Sequence, residues 1–171
     1  IDGNSDGLIG FHFQNYDQGA LGQEESHLVH TRTSSFALFA LESFNFDLFD
    51  LDVGGRLESV NLKNTSLEKG FFPSAFSSTI KRKIFNNSNA FAGFDFTERA
   101  PNAVELFANG PHHAQEQFEV GQSTMSVETS YNFSLGYSYT DGLDILKVET
   151  YYNYIDDFIA ADRDGTTTVV E

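Results

Sequence analysis

Apolar and polar residues alternate with a period of two along most of the chain. The clearest case is YNFSLGYSY at residues 131–139, where every aromatic or leucine residue has an odd number. Successive side chains of a β-strand point to opposite faces, so this pattern predicts strands with one apolar and one polar face. The predicted strands span 8–16, 33–46, 50–61, 72–85, 89–98, 127–140 and 143–158, and an eighth begins near residue 166.

Short and long connections alternate between these predicted strands. The short connections are 46–50, 86–88 and 141–142, and the longer ones are 17–32, 61–71, 99–126 and 159–165. In an up-and-down antiparallel sheet, all short connections then lie at one end and all long ones at the other. Outer-membrane β-barrels have this asymmetry. The pattern favours an all-β chain of about eight antiparallel up-and-down strands, forming part of a transmembrane β-barrel, over a soluble sandwich or jelly roll.

Composition excludes several classes of protein. No run approaches the roughly 20 apolar residues that a transmembrane helix needs. A formal net charge of −15 argues against nucleic acid as a partner, because its recognition depends on Lys and Arg, and favours cationic ligands or metal ions. The chain has no cysteine, so disulfides and thiolate metal sites are excluded within it. It contains neither a G-x-S-x-G elbow nor a Gly-rich phosphate loop, and we expect no enzymatic activity.

Three segments resemble the C-terminal part of the barrel of TonB-dependent outer-membrane receptors, especially the branch of zinc-uptake receptors. They are GFDFTERAPNAVELFANGPHHAQEQFEVG at 93–121, ETSYNFSLGYSYTDG at 128–142 and VETYYNYIDDFI at 148–159. The chain departs from the family's usual proline-x-leucine-lysine-proline segment at 122–127. The matching residues are Arg99, Ala100, Pro101, Glu105, Leu106, Asn109, Gly110, Pro111, His112, Phe118, Glu119, Gly121 and Glu128.

The resemblance implies active import across the outer membrane of a Gram-negative bacterium. Its partners would be the TonB complex, acting through a plug domain, the lipid of the outer membrane, and a metal or metal-chelate ligand. Residues 1–171 would be a partial barrel domain that lacks the plug and the remaining strands. Zinc is the favoured cargo, with haem or a ferric siderophore as alternatives. A passive or structural outer-membrane barrel, such as a porin or adhesin, and a soluble Ca²⁺-dependent β-sandwich remain the other functional interpretations.

Histidines and acidic residues in two long connections are the candidate metal ligands. One connection carries His112 and His113, and imidazole and carboxylate groups are suitable ligands for Zn²⁺. The zinc would be transported cargo, since no resident cofactor is required. The alternative is that these are ordinary solvated loop residues. The other connection supplies the remaining candidates, which are Glu24, Glu25, His27 and His30.

Further expectations concern the loops and the polar faces of the strands. We expect a helical turn through Glu105 and Leu106, followed by a chain reversal at Gly110-Pro111. Residues 160–171 place acidic side chains at several positions of an EF-hand loop, but Ala160 occupies the first position and the β-branched run that follows favours a hairpin. His12 is expected to line the barrel interior. The charged residues expected to pair across strands there are Asp52, Arg56, Glu58, Lys147 and Glu149.

Overall fold

The computed structural model describes residues 4–20, 28–112 and 117–162. No helix in these ranges is long and apolar enough to cross a membrane. The elements are β1 (Asn4–Gln18), β2 (Thr31–Asn45), β3 (Asp50–Lys63), β4 (Glu68–Phe71), β5 (Ser74–Phe85), β6 (Ser88–Arg99), α1 (Ala103–Phe107), β7 (Asn109–His112), β8 (Gln117–Val120), β9 (Glu128–Asp141) and β10 (Asp144–Asp156).

The described strands form one antiparallel up-and-down sheet, as the alternation predicts, while the strand predicted from about residue 166 lies outside the described residues. The strand order is β1-β2-β3-β5-β6-β9-β10, with β4 also paired to β3, while β7 and β8 form a separate two-stranded sheet. The connections 46–49, 86–87 and 142–143 lie at what we call the short-turn end. The opposite, long-loop end carries the connections 19–30, 64–67 and 100–127.

Strands β4 and β5 are a single line of chain interrupted by Pro73. The register of β4 against β3 continues unchanged into β5, since Phe71 lies opposite Val60 and Ser74 lies opposite Leu57. Proline has no N–H to donate, so the ladder is broken there. The carbonyl of Pro73 still accepts a hydrogen bond from the Glu58 N–H at 2.9 Å.

The expectation of a long loop at 61–71 is therefore wrong. Strand β3 continues to Lys63, and the chain reverses at 64–67, where Asn64 Oδ1 accepts hydrogen bonds from the N–H groups of Ser66 at 2.8 Å and Leu67 at 2.7 Å. The extension is held by packing with distant parts of the chain, because Leu62 is buried in a cluster with residues of α1. Local alternation carries no signal for such a contact.

One face of the sheet is apolar and largely exposed. The strand register places Phe11 beside Leu38 and Phe94 beside Phe133 on this apolar face. Its side chains are strongly exposed, as Ile9 illustrates at 86%. A soluble sandwich would bury such a face in its core, whereas a surface this large and apolar requires lipid or a partner to cover it. Its other members include Phe13, Phe36, Leu57, Phe76, Ile80, Leu135, Tyr137, Val148, Tyr152 and Tyr154.

Aromatic residues gather toward both ends of this face. At the long-loop end the ring centroids of Phe96 and Tyr131 are 5.4 Å apart, and those of Tyr131 and Tyr154 are 6.3 Å apart. At the short-turn end, the ring centroids of Phe46 and Phe49 are 4.7 Å apart. Aromatic girdles bordering an apolar band are typical of transmembrane β-barrels.

The opposite, polar face carries hydrogen-bonded charges. Asp52 pairs with Lys81 of β5 at 2.5 Å, which confirms a cross-strand pair, but Arg56 pairs with Glu58 of its own strand at 2.9 Å. Residues two apart in a strand share a face, so their side chains can meet without a neighbouring strand. Lys147 and Glu149 occupy the same face of β10, and His12 occupies it in β1.

Two aromatic side chains on the polar face cover glycines of the neighbouring strand. The ring of Phe39 occupies the space where a side chain of Gly10 would begin, and Phe91 does the same at Gly136. Each pair is directly opposite in register. An aromatic ring laid over a strand glycine shields backbone that the missing side chain leaves open. This explains why β2 is apolar on both faces near Phe39.

Candidate functional site

The helix α1 begins directly after β6 and is closed at its N-terminus by Asn102. The side-chain oxygen of Asn102 accepts hydrogen bonds from the N–H groups of Val104 at 2.9 Å and Glu105 at 3.0 Å. The Glu105 carboxylate accepts in return from the Asn102 N–H at 2.7 Å. This reciprocal arrangement is a capping box, which satisfies N–H groups that have no partner within the helix. The predicted helical turn through Glu105 and Leu106 is confirmed.

A small hydrophobic cluster holds α1 against the long-loop end. Leu106 is 2% exposed and packs with Leu28 of the β1–β2 connection and Leu62 of β3. Leu62 shares its parity with the polar-face residues of β3, so α1 lies on that side of the sheet. The cluster therefore joins three separate parts of the chain. Its other members and neighbours are Ala20, Val60, Phe71, Ala103, Val104, Phe107 and Met125.

Arg99 links the helix to the sheet through two carboxylates. Its Nη1 lies 3.0 Å from Glu105 Oε2, and its Nε lies 3.3 Å from Glu128 Oε1. Arg99 and Glu128 are opposite each other in the β6–β9 register. Glu128 Oε2 also accepts a hydrogen bond from the Ile159 N–H at 2.8 Å. The guanidinium thus ties α1, β9 and the segment after β10 together.

The ionised forms of Arg99 and Glu128 are both favoured. The pair lies beyond the apolar band bordered by Phe96 and Tyr131. The hydrogen bond from Arg99 lowers the pKa of the Glu128 carboxyl, with the Ile159 N–H as the next cause. The hydrogen bond to Glu128 raises the pKa of Arg99. Opposite charges that are hydrogen-bonded favour their ionised forms, so the pair persists at neutral pH.

We expect Arg99→Ala to loosen α1 from β9 by about 1 kcal/mol at pH 7, as for other half-exposed ion pairs. The pKa of the Glu128 carboxyl is lower in the folded chain than in the unfolded chain. The ion pair therefore stabilises the fold fully at a pH above the unfolded-state pKa, and this stabilisation is lost as the pH falls through the folded-state pKa. Hydrogen exchange of the α1 amides between pH 7 and pH 3 measures this loss of stabilisation. The wild type should lose protection below about pH 4.5, the variant should lose less, and Arg32→Ala should match the wild type. Identical profiles for Arg99→Ala and the wild type would contradict the assignment.

The segment after β8 returns to the backbone of α1. The Gly121 N–H donates to the Ala108 carbonyl at 2.6 Å, and the Gln122 N–H donates to the Glu105 carbonyl at 2.8 Å. A Cβ at Gly121 would lie 2.7 Å from backbone atoms of Leu106 and Phe107, so glycine is required by this close approach. The base of the β7–β8 hairpin is thereby fixed to the helix.

The predicted chain reversal at Gly110-Pro111 is wrong. Both residues lie in β7, where Gly110 is opposite Glu119 and Pro111 is opposite Phe118 of β8. The connection between these strands is 113–116, which lies outside the described residues. A proline is tolerated in a two-stranded sheet when its nitrogen faces away from the partner strand.

The candidate histidines that the structure describes each lie beside a carboxylate. His112 Nδ1 is 3.2 Å from Glu119 Oε1, and both side chains are about three-quarters buried. His30 Nε2 is 3.9 Å from Asp17 Oδ1, with the His30 side chain 70% exposed. Asp17 is not among the candidates from the sequence, and Glu119 is named there only as a motif residue and not as a partner of His112. The register of the β1–β2 pair would have indicated Asp17, which lies opposite Arg32.

The other candidate ligands, Glu24, Glu25, His27 and His113, lie outside the described residues, as does most of the EF-hand-like segment 160–171. Within the described ranges, no three His, Asp or Glu side chains converge in a way that could hold a metal ion. The described part of the chain thus contains two separate imidazole–carboxylate pairs.

Comparison with known protein families decides the class of protein. The family described as TonB dependent receptor-like, beta-barrel, matches residues 2–171. The chain belongs to this family. No curated protein matches the chain.

Membership of this family places the sheet in the outer membrane. TonB-dependent receptors are outer-membrane receptors that take part in transport and interact with TonB and a ligand, and they are not an enzyme family. The eight-stranded sheet is therefore part of a transmembrane β-barrel. Its apolar face contacts lipid and its polar face lines the interior. Since such barrels have short periplasmic turns and longer extracellular loops, we expect the short-turn end to face the periplasm and α1 to lie on the extracellular side.

Proposed function

We propose that this chain is part of a receptor that binds a metal or metal chelate outside a Gram-negative cell and imports it with energy from the TonB complex. Zinc is the favoured cargo, and haem or a ferric siderophore is the alternative. The observation that carries the proposal is the presence of two imidazole–carboxylate pairs, His112 with Glu119 and His30 with Asp17, at the extracellular end. Imidazole nitrogen and carboxylate oxygen are both common zinc ligands.

The hydrophobic cluster carries His112 on the polar side of the sheet, whereas Asp17, the partner of His30, lies on the apolar side by strand parity. Leu28 belongs to the cluster and precedes His30 by two residues, while α1 leads through Ala108 into β7, which carries His112. His112 therefore follows the packed unit on the polar side, while His30 follows Leu28 of the same unit and lies beside Asp17 on the outward side. In the proposal, Glu24, Glu25, His27 and His113 supply the further donors, because a transported zinc ion needs three or four ligands.

The proposed receptor contains more than this chain. Barrels of outer-membrane transporters with a plugged lumen have about 22 strands, of which the described sheet would supply seven when β4 and β5 are counted as one. A plug domain carrying the contact with TonB and the remaining strands would come from elsewhere in the protein. The complete gene should encode that plug upstream. A gene without it would favour a passive porin or an adhesin instead.

Zinc binding to the complete receptor, measured by calorimetry, tests the cargo. We expect His112→Ala and His30→Ala each to weaken zinc binding about 10-fold or more, because each removes a ligand or its support. Simultaneous alanine replacement of His27, His30, His112 and His113 should abolish binding. The control is His12→Ala, which removes an exposed imidazole from the polar face of β1. Unchanged affinity in the fourfold variant would remove the metal assignment, and binding of haem or a ferric siderophore alone would replace zinc as cargo.

A further inference from the structure

Three cations point outward from the apolar face of the described strands, and one of them differs from the others. Arg32 pairs with Asp17 at 3.1 Å, and Lys63 pairs with Glu68 at 3.1 Å, both at the long-loop end. The third, Arg82 of β5, is exposed and forms neither an ion pair nor a hydrogen bond with any described residue. It is the outward-facing cation of the short-turn end in this part of the chain.

The register places Arg82 on the lipid-facing side. It lies opposite Ala90 of β6, which in turn lies opposite Tyr137 of β9. The turn at 86–87 follows four residues later, so Arg82 is near the periplasmic border of the apolar band. An arginine there can keep its aliphatic stem along apolar surface and extend its guanidinium to the headgroup level.

The two residues next to Arg82 in sequence point to the polar face of the sheet. Lys81 and Lys83 point to the polar face by strand alternation, and Lys81 pairs with Asp52. The run Lys81-Arg82-Lys83 is therefore not one basic patch. A soluble anion in the barrel interior would meet the two lysines, whereas only Arg82 faces the lipid.

The surface beside Arg82 suits an acyl chain. Ala90 and Ala92 are small residues on the same face of β6. Ala90 lies between Arg82 and Tyr137, and Ala92 lies between Ile80 and Leu135. Both alanines are thus flanked by larger side chains, which leaves space over β6 for an acyl chain.

We propose that Arg82 binds the phosphate of an anionic phospholipid in the periplasmic leaflet of the outer membrane, with an acyl chain lying over Ala90 and Ala92. A guanidinium can donate two parallel hydrogen bonds to phosphate oxygens, which a point charge cannot reproduce. Charge complementarity selects an anionic headgroup, because Arg82 has no carboxylate of its own within the described chain. This inference depends on the membrane placement of the family and not on the cargo.

The test is the binding of phosphatidylglycerol carrying a fluorescent acyl chain to the complete receptor in a non-ionic detergent. We expect Arg82→Ala to weaken binding about fivefold or more and Arg82→Lys to weaken it less, since the charge remains. Lys83→Ala, on the adjacent polar-face position, and Arg32→Ala, an outward cation at the opposite end, should bind like the wild type. Unlabelled phosphatidylglycerol should compete, whereas phosphatidylcholine should compete more weakly.

Three results would overturn the proposal. Wild-type affinity in Arg82→Ala would remove the site, and equal losses in Arg82→Ala, Lys83→Ala and Arg32→Ala would indicate general charge attraction. Competition by inorganic phosphate at the same concentration as the lipid would assign Arg82 to a soluble anion. Resistance of the folded barrel to unfolding by detergent at room temperature shows that each variant is folded before binding is measured.

Discussion

Leu106→Ala lowers the free energy of local opening of α1 by about 2–4 kcal/mol, the range for removing a buried leucine side chain. Leu106 is almost fully buried and contacts both the β1–β2 connection and β3, so its loss leaves a cavity shared by three parts of the chain. Hydrogen exchange of the α1 amides in the complete receptor measures the change. The strands of the barrel should keep their protection, because their ladders do not depend on this cluster.

The matched control for this variant is Val120→Ala in β8. Val120 is 72% exposed, and truncation of an exposed side chain usually changes stability by less than about 0.5 kcal/mol. Equal effects of the two variants would show that α1 is not held by the cluster.

Gly121→Ala detaches the base of the β7–β8 hairpin from α1, with an expected cost of about 1–3 kcal/mol. The new Cβ would approach backbone atoms of α1, which cannot move aside as a flexible side chain can. The hydrogen bond from Gly121 to Ala108 should lengthen or break. We expect faster exchange of the Gly121 and Gln122 amides and, because His112 is carried by this hairpin, weaker binding of the cargo.

Gly70→Ala is the control for the glycine variant. Gly70 lies in β4, and a Cβ there would meet no atom within 4 Å. Its amide exchange and cargo binding should match the wild type. Normal exchange at Gly121 and Gln122 in Gly121→Ala would contradict the close approach of the two backbones.

The strands could be predicted from sequence because each one has an apolar face and a polar face, which gives an alternating pattern. Strand β9 is predicted at 127–140 and runs from Glu128 to Asp141, so the turn lies at 142–143, one residue later than the predicted 141–142. Gly142 has a φ of 59°, a conformation that glycine adopts without strain. Alternation over ten or more residues leaves little freedom in register when one face must contact lipid.

The long-loop end was harder to predict because its structure depends on contacts between distant segments. Residues 61–71 are mostly polar and show no alternation, yet Leu62 and Phe71 pair them into a hairpin by packing near α1. Pro111 indicated a turn by its residue type but lies in a strand. The family pattern around Arg99, Glu105 and Glu128 was visible as a motif, while the ion pairs that explain it required the register of β6 and β9.

The residues of the motif therefore have two kinds of role. Arg99, Asn102, Glu105 and Gly121 are explained by capping, ion pairing and close packing, which fix the extracellular loops to the sheet. None of these contacts requires a ligand. The histidines are carried on the resulting unit, and their part in binding the cargo is what the zinc measurement tests.

The orientation of the sheet in the outer membrane is the central claim, and single introduced cysteines test it most directly because the chain contains none. Thr65→Cys places a thiol in the 64–67 turn at the long-loop end, and Leu143→Cys places one at a fully exposed position of the short-turn end. In a receptor otherwise free of cysteine, a large maleimide-polyethylene glycol that cannot cross the outer membrane should label Thr65→Cys on intact cells. It should label Leu143→Cys only after the outer membrane is opened. Labelling of Leu143→Cys alone, or equal labelling of both on intact cells, would contradict the account.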